Sequence, residues 1–207
     1  QYFRKQMELL TSAGFDALGI GSMEEPGFLR EAGIELPMYF DQGMYSWNHL
    51  AGAAMERYGA DRLTIPVELN EREIRDSGVQ GEMIVYGYLP MMISAQCIRK
   101  TTLGCSGKSE IMWLKDRKDM RFPVVNQCRF CYNTIYNSAP LSLLGLSEQV
   151  TGLKPNAVRL NFTVEEPAAA GEILDAFFEE YGMSEKAAEP PVLRNQFTRG
   201  HFKRGVE

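Results

Sequence analysis

The 4 cysteines of this 207-residue chain all fall in one short stretch, at Cys97, Cys105, Cys128 and Cys131. A thiolate is both a nucleophile and a soft metal ligand, and spacing decides between these uses. Cys128-Arg-Phe-Cys131 is a Cys-x-x-Cys knuckle whose two sulfurs can face one ion, and Cys97 and Cys105 offer a second pair from a segment containing Gly104 and Gly107. A secreted disulfide scaffold spreads its cysteines along a chain too short for a core, whereas a chain of this length buries an ordinary core unaided, so disulfides are the weaker reading. The expectation is one metal centre on Cys97, Cys105, Cys128 and Cys131. It holds either zinc or a [4Fe-4S] cluster, since softness and tetrahedral geometry do not separate the two. Unpaired thiols also point to a reducing, cytoplasmic setting.

No other nucleophile stands out. Gly-x-Ser-x-Gly and His-Glu-x-x-His are both absent, which counts against ordinary serine and zinc peptidase mechanisms. Acids recur where short apolar runs end: Glu24 and Glu25, Asp41, Glu68 and Glu165. Glu24 and Glu25 suit a helix first turn, where carboxylates meet the positive end of the dipole. Asp41 follows Met38-Tyr39-Phe40, and Glu68 sits between Val67 and Leu69, so both are expected at a strand mouth, paired, hydrogen-bonded or catalytic. His49, between Asn48 and Leu50, reads as a packing or surface residue. The tail Phe197-Thr-Arg-Gly-His-Phe-Lys-Arg204 interleaves aromatics with bases, so Arg199, His201 and Arg204 are candidates for phosphate contact. Equally, Phe197 and Phe202 could simply dock the tail. The cysteine stretch carries Arg99, Lys100, Lys108, Lys115, Arg117, Lys118, Arg121 and Arg129 against Glu110, Asp116 and Asp119, a basic island in a chain of net charge -5.

The elements that must position these residues follow from hydrophobic period and punctuation. Apolar Phe3, Met7, Leu9 and Leu10 suit an amphipathic helix stopped by Gly14. Strands are expected over Phe15 to Ile20, Leu36 to Phe40, Arg62 to Val67, Met83 to Leu89 and Val158 to Val164. Helices are expected from a Ser22/Glu25 capping box through Ala32, from a Ser46 cap through Tyr58 to Gly59, from an Asn70 cap over Glu71 to Arg75, and from Pro167 to Gly182. Strands alternating with helices predict parallel strands with helices outside. No Gly-x-Gly-x-x-Gly follows the first strand, so the expectation is a partial (β/α) TIM-barrel-like domain of about five strands.

Between Ser94 and Thr151 the rhythm stops. The reading there is a metal-stapled, cysteine-rich insertion, giving barrel-like units over 1–93, the basic insertion over 94–151 and a last strand, helix and basic tail over 152–207. Hydrophobic residues make up 44% and charged residues 24% of the chain, which excludes disordered and fibrous classes. The longest nearly apolar run, Met83 to Ala95, contains Gly87 and Pro90 and falls short of the roughly 18 residues a bilayer span needs, so no membrane partner is expected.

Four stretches together resemble one family. They are Arg62-Leu-Thr-Ile-Pro-Val-Glu-Leu-Asn70, Val85-Tyr-Gly-Tyr-Leu-Pro-Met-Met-Ile-Ser-Ala-Gln-Cys97, Cys128-Arg-Phe-Cys-Tyr-Asn-Thr-Ile-Tyr-Asn137 and Thr198-Arg-Gly-His-Phe-Lys-Arg-Gly205. The chain resembles the U32 peptidase family of collagenase-like proteins and looks like the C-terminal segment of a longer member, whose N-terminal part would be a partner in the active site. The resemblance implies oxygen-independent hydroxylases acting on transfer RNA, ribosomal RNA or a quinone precursor, with a four-cysteine [4Fe-4S] site and, for the RNA-modifying members, dependence on prephenate. It also carries the alternatives of a collagenase-like peptidase and of a non-catalytic, metal-stapled substrate-binding domain. Cys97 matches the second cysteine of the family signature and Cys128 with Cys131 the later pair, while Pro90 stands where the family has its first; Cys105 would substitute for it or mark zinc. In this reading Asp41 and Glu68 orient substrate, Arg199, His201 and Arg204 hold phosphate, and an open sheet edge favours a homodimer.

Overall fold

The computed structural model describes residues 2–183 and 196–205; the side chains of Phe3 and Met7 lie outside the described residues. The chain begins with α1 (Tyr2–Ala13), β1 (Leu18–Ile20), α2 (Glu25–Glu31), β2 (Met38–Phe40), a 3-10 turn (Gln42–Met44), α3 (His49–Tyr58), β3 (Arg62–Leu63) and α4 (Glu71–Ser77). It continues through β4 (Glu82–Gly87), β5 (Pro90–Ser94), α5 (Ile98–Thr102), β6 (Ile111–Lys115), β7 (Arg121–Gln127) and β8 (Tyr132–Tyr136). It closes with β9 (Leu141–Ser142), α6 (Ser147–Gly152), β10 (Ala157–Asn161) and α7 (Pro167–Glu180). Two compact units result, one of residues 1–84, 148–159 and 200–207, the other of residues 85–147 and 160–199.

In the first unit β1 pairs β2 and β2 pairs β3, both in parallel, and a parallel bridge from Thr64 to Glu82 carries the order on to β4. The crossovers are helical, as parallel pairing requires. Their starts differ from the sequence expectation in two places. α2 begins at Glu25, whose own carboxylate accepts from the N–H groups of Gly21 (2.7 Å) and Ser22 (3.3 Å), with Pro26 fixing the first turn. α3 is capped by Asn48, whose Oδ1 accepts from Ala51 N–H at 3.0 Å, while Ser46 is buried and donates to the Thr64 carbonyl at 3.3 Å. α4 keeps the expected cap: Asn70 and Glu73 exchange bonds of 2.9 and 2.8 Å.

The core of this unit gathers Ile20, Leu29, Phe40, Met44, Leu63 and Val79, from β1, α2, β2, the 3-10 turn, β3 and the segment after α4, with Met55 and Tyr58 of α3 packed against it. β3 and β4 approach so closely that a Cβ on Gly81 would stand 2.5 Å from the Leu63 carbonyl oxygen. Only glycine fits there.

The stretch where the α/β rhythm stops lies in the second unit and is regular sheet. Residues 90–136 fold as a four-stranded antiparallel sheet in the order β5-β8-β7-β6. Hairpins replace helical crossovers, which is why the α/β rhythm stops. Asp116 Oδ1 accepts from Lys118 and Met120 N–H groups (2.7 and 2.9 Å), and Asp119 takes φ 63°, so two aspartates shape the β6–β7 turn. A further three-stranded sheet has the order β10-β4-β9, with β4 and β9 antiparallel. The whole is a mixed α/β protein with parallel and antiparallel sheets; among the described residues the strands do not close into a barrel. No described helix is long and apolar enough to cross a membrane.

Candidate functional site

Strand register brings the cysteines together. Ser94 at the end of β5 pairs Asn133 at the start of β8, Gln127 pairs Tyr132 across the β7–β8 turn, and Ile111 at the start of β6 pairs Val125 near the end of β7. The segments leaving β5, entering β6 and joining β7 to β8 therefore meet at one end of the sheet. Cys97 caps α5, Cys105 lies on the way to β6, and Cys128 and Cys131 occupy the β7–β8 turn. All four are free thiols, Cys97 and Cys128 half-buried, Cys105 and Cys131 exposed.

Two buried asparagines hold these segments. Asn126 and Asn133 face each other across β7 and β8 and are 1% and 0% exposed. Asn126 Oδ1 accepts from the Glu110 N–H and its Nδ2 donates to the Lys108 carbonyl at 3.2 Å, securing the Cys105 segment. Asn133 Nδ2 donates to the carbonyls of Ser94 (3.4 Å) and Gln96 (2.6 Å), securing the Cys97 segment. Buried amides with such partners specify a geometry that apolar side chains would leave loose. A second tie is Arg99 to Glu110 at 2.7 Å, with Ser106 donating to the same carboxylate at 3.1 Å. The Arg99 hydrogen bond, then that from Ser106, holds the Glu110 carboxyl below its ordinary range.

The knuckle is shaped locally. Phe130 N–H bonds to the Gln127 carbonyl at 3.0 Å, Cys128 N–H to Ser109 Oγ at 3.2 Å, and Cys131 takes φ 55°. Lys100 N–H points at the Cys97 sulfur at 3.5 Å. Withdrawal from water raises the Cys128 thiol above its ordinary range, and the sulfurs of Cys105, Cys131 and Cys97 add to this, Cys105 also through a hydrogen bond. Three other sulfurs thus act on the Cys128 thiol. No group of three or more His, Cys, Asp or Glu side chains among the described residues is already set around a metal position. An all-sulfur donor set of this kind suits zinc or an iron–sulfur cluster by its chemistry.

The remaining sequence candidates lie elsewhere. Asp41 directly follows β2, where its Oδ1 accepts from Gln42 N–H at 2.8 Å and from Arg159 at 2.6 Å; Arg159 also reaches Glu82 at 3.1 Å. Arg62 instead lies over the Tyr39 ring, 4.5 Å from its centroid. Glu68 stands half-buried in the turn after Pro66, because β3 stops at Leu63. Arg199 Nη1 donates to the carbonyls of Ser142 (2.8 Å) and Leu144 (2.6 Å), and burial lowers its pKa. His201 Nδ1 lies 2.8 Å from the Gly205 carbonyl, Phe202 is buried, and Arg204 is exposed. His49 is the exposed first residue of α3.

Sequence reasoning named Glu165 but missed the tyrosines gathered on it in the second unit. The Glu165 carboxylate accepts from the N–H groups of Thr163 and Val164 at 2.6 and 2.9 Å, and its other oxygen is enclosed without a well-formed hydrogen bond. The Tyr86 hydroxyl approaches it. Burial first, then Glu165, pushes the phenols of Tyr86 and Tyr88 up; for Tyr136 burial is followed by Tyr132 and then Glu165. The available signal was Tyr86-Gly-Tyr88, two tyrosines at the end of a buried strand.

The protein so defined is a mixed α/β chain with a four-thiol cluster at one end of an antiparallel sheet. It belongs to peptidase family U32, whose family model matches residues 1–173 of the 207. No curated protein and no solved structure matches the chain.

Proposed function

We propose that this U32 chain forms part of a metal-dependent RNA-modifying enzyme that hydroxylates a nucleotide without molecular oxygen, with the prephenate dependence implied by the family resemblance. The observation that carries the reading is the convergence of Cys97, Cys105, Cys128 and Cys131 on a sheet that is rich in cations although the chain is acidic overall. Those four cysteines would hold the zinc ion or [4Fe-4S] cluster; a cluster supplies redox and Lewis-acid chemistry when bound, and zinc supplies folding energy. Asn126, Asn133 and the Arg99–Glu110 pair fix the segments from which the sulfurs project. Asp41 and Glu68 are read as groups that orient the substrate, and Arg199, His201 and Arg204 as phosphate contacts. The parallel order of β1, β2 and β3 supports reading the first unit as part of a (β/α) barrel.

Mass spectrometry of cellular RNA from a deletion strain tests this. A hydroxylated nucleotide should be missing, restored by the wild-type gene and not by Cys131→Ser. Unchanged RNA together with metal-dependent cleavage of gelatin would establish the peptidase instead. Metal binding and salt-sensitive RNA binding without turnover would leave a substrate-binding domain. Metal analysis and absorption spectra of protein purified without oxygen separate zinc from iron and sulfide.

A further inference from the structure

The end of the antiparallel sheet remote from the cysteines is a cationic hairpin with an exposed indole on it. β6 and β7 join through residues 116–120, and Lys115 pairs directly with Arg121 in register. Like charges in directly opposed positions destabilise a strand pair. Both are exposed, and only Lys115 has a carboxylate, Asp119 at 2.6 Å, in a pair whose side chains are 58% and 81% exposed. Such a pair adds little stability. Asp116 is occupied with the turn N–H groups, so Arg117, Lys118 and Arg121 form no ion pair among the described residues. Trp113 lies on the same face as Lys115, two residues along β6, and is 55% exposed.

A cationic row about 7 Å from a wet indole is what a single-stranded nucleic acid engages, phosphate on the cations and base on the ring. A duplex hides its base faces in the stack and has no use for the indole. An acidic peptide would use the cations and leave the indole idle. We propose that the β6–β7 hairpin is a contact arm for single-stranded RNA, with phosphates on the Lys115–Arg121 row and Arg117, and a base stacked on Trp113. This rests on the RNA reading above and deepens it. The arm stands one strand, about 17 Å, from the sulfur cluster, so it grips nucleotides flanking the one that is modified.

The test is fluorescence anisotropy of the full chain with a labelled single strand of about 12 nucleotides, the same sequence as a duplex, and anionic vesicles, each over a salt series. Arg117→Gln with Arg121→Gln should weaken single-strand binding at least tenfold and lower the slope of log K against log salt by about 0.7 for each cation removed. Trp113→Ala should weaken binding about tenfold with the slope unchanged, and Trp113→Phe should restore most of it. Wild-type affinity and slope in these variants, equal binding of duplex, preference for vesicles, or no RNA binding by the wild type would each overturn the arm. It fails separately from the modification: variants that lose RNA binding, with deletion-strain RNA identical to wild type, retain the arm and remove the hydroxylation, whereas variants with wild-type binding, with a nucleotide missing from the deletion strain, remove the arm alone.

Discussion

Because Cys128 is drawn from water beside three other sulfurs, its thiol keeps its proton above the ordinary cysteine range, and in the proposed metal centre an incoming ion would have to displace that proton. Metal affinity should therefore rise with pH and uptake should release protons, which calorimetry in buffers of different ionisation enthalpy will measure. A second titration lies at Tyr181, where burial first and Glu180 second push the phenol up to about 12. The unfolded phenol ionises near 10, so between those values the folded state holds the extra proton. Its contribution is complete below about pH 10 and is lost as pH rises toward about 12. Absorbance at the phenolate band, followed beside denaturant midpoints, should show late-titrating tyrosines, Tyr181 together with Tyr86, Tyr88 and Tyr136, and stability falling in that window. At this scale the cysteines were legible because their types and spacing are in the sequence itself. Glu165 was legible as an acid ending an apolar run, but Tyr86 and Tyr88 were not, since each is ordinary until burial brings it against Glu165.

Helix starts and stops were largely legible wherever a single residue does the capping, by its side chain at Asn70 and by its left-handed backbone at Gly59. They shifted where a neighbour did it better: Asn48 displaced Ser46, and the Glu25 carboxylate moved α2 forward. The antiparallel sheet was missed because β6, Ile-Met-Trp-Leu-Lys, lacks the polar alternation of a half-buried strand, and because Pro123 interrupts β7. Two changes test what these elements depend on. Gly81→Ala places a methyl against the Leu63 carbonyl and should destabilise the protein by about 1–3 kcal/mol, read as a lower denaturant midpoint. Asn126→Ala or Asn133→Ala leaves backbone groups of the cysteine segments unpaired and should cost about 1–3 kcal/mol, with hydrogen exchange accelerated at Lys108 to Glu110 or at Ser94 to Gln96 respectively.

At the scale of the whole molecule, the chain divides into two compact units, the first carrying the parallel β1–β3 sheet and the second the four-stranded antiparallel sheet, and stability is rarely uniform across such a chain. Cys128→Ser should raise exchange rates through β5, α5 and the β6–β8 strands more than through β1 to β3, a contrast that exchange followed by mass spectrometry resolves unit by unit. Equal acceleration in both would mean that the sulfur cluster supports the entire chain. Side-chain direction in a sheet has a period of two, so a slip of one residue between β7 and β8 would leave Asn126 and Asn133 on opposite faces. One cysteine-bearing segment would then lose the amide that ties it down. Where the four sulfurs meet is in this way a readout of strand pairing: a chain paired in the wrong frame would scatter thiols that the native register gathers at one sheet end.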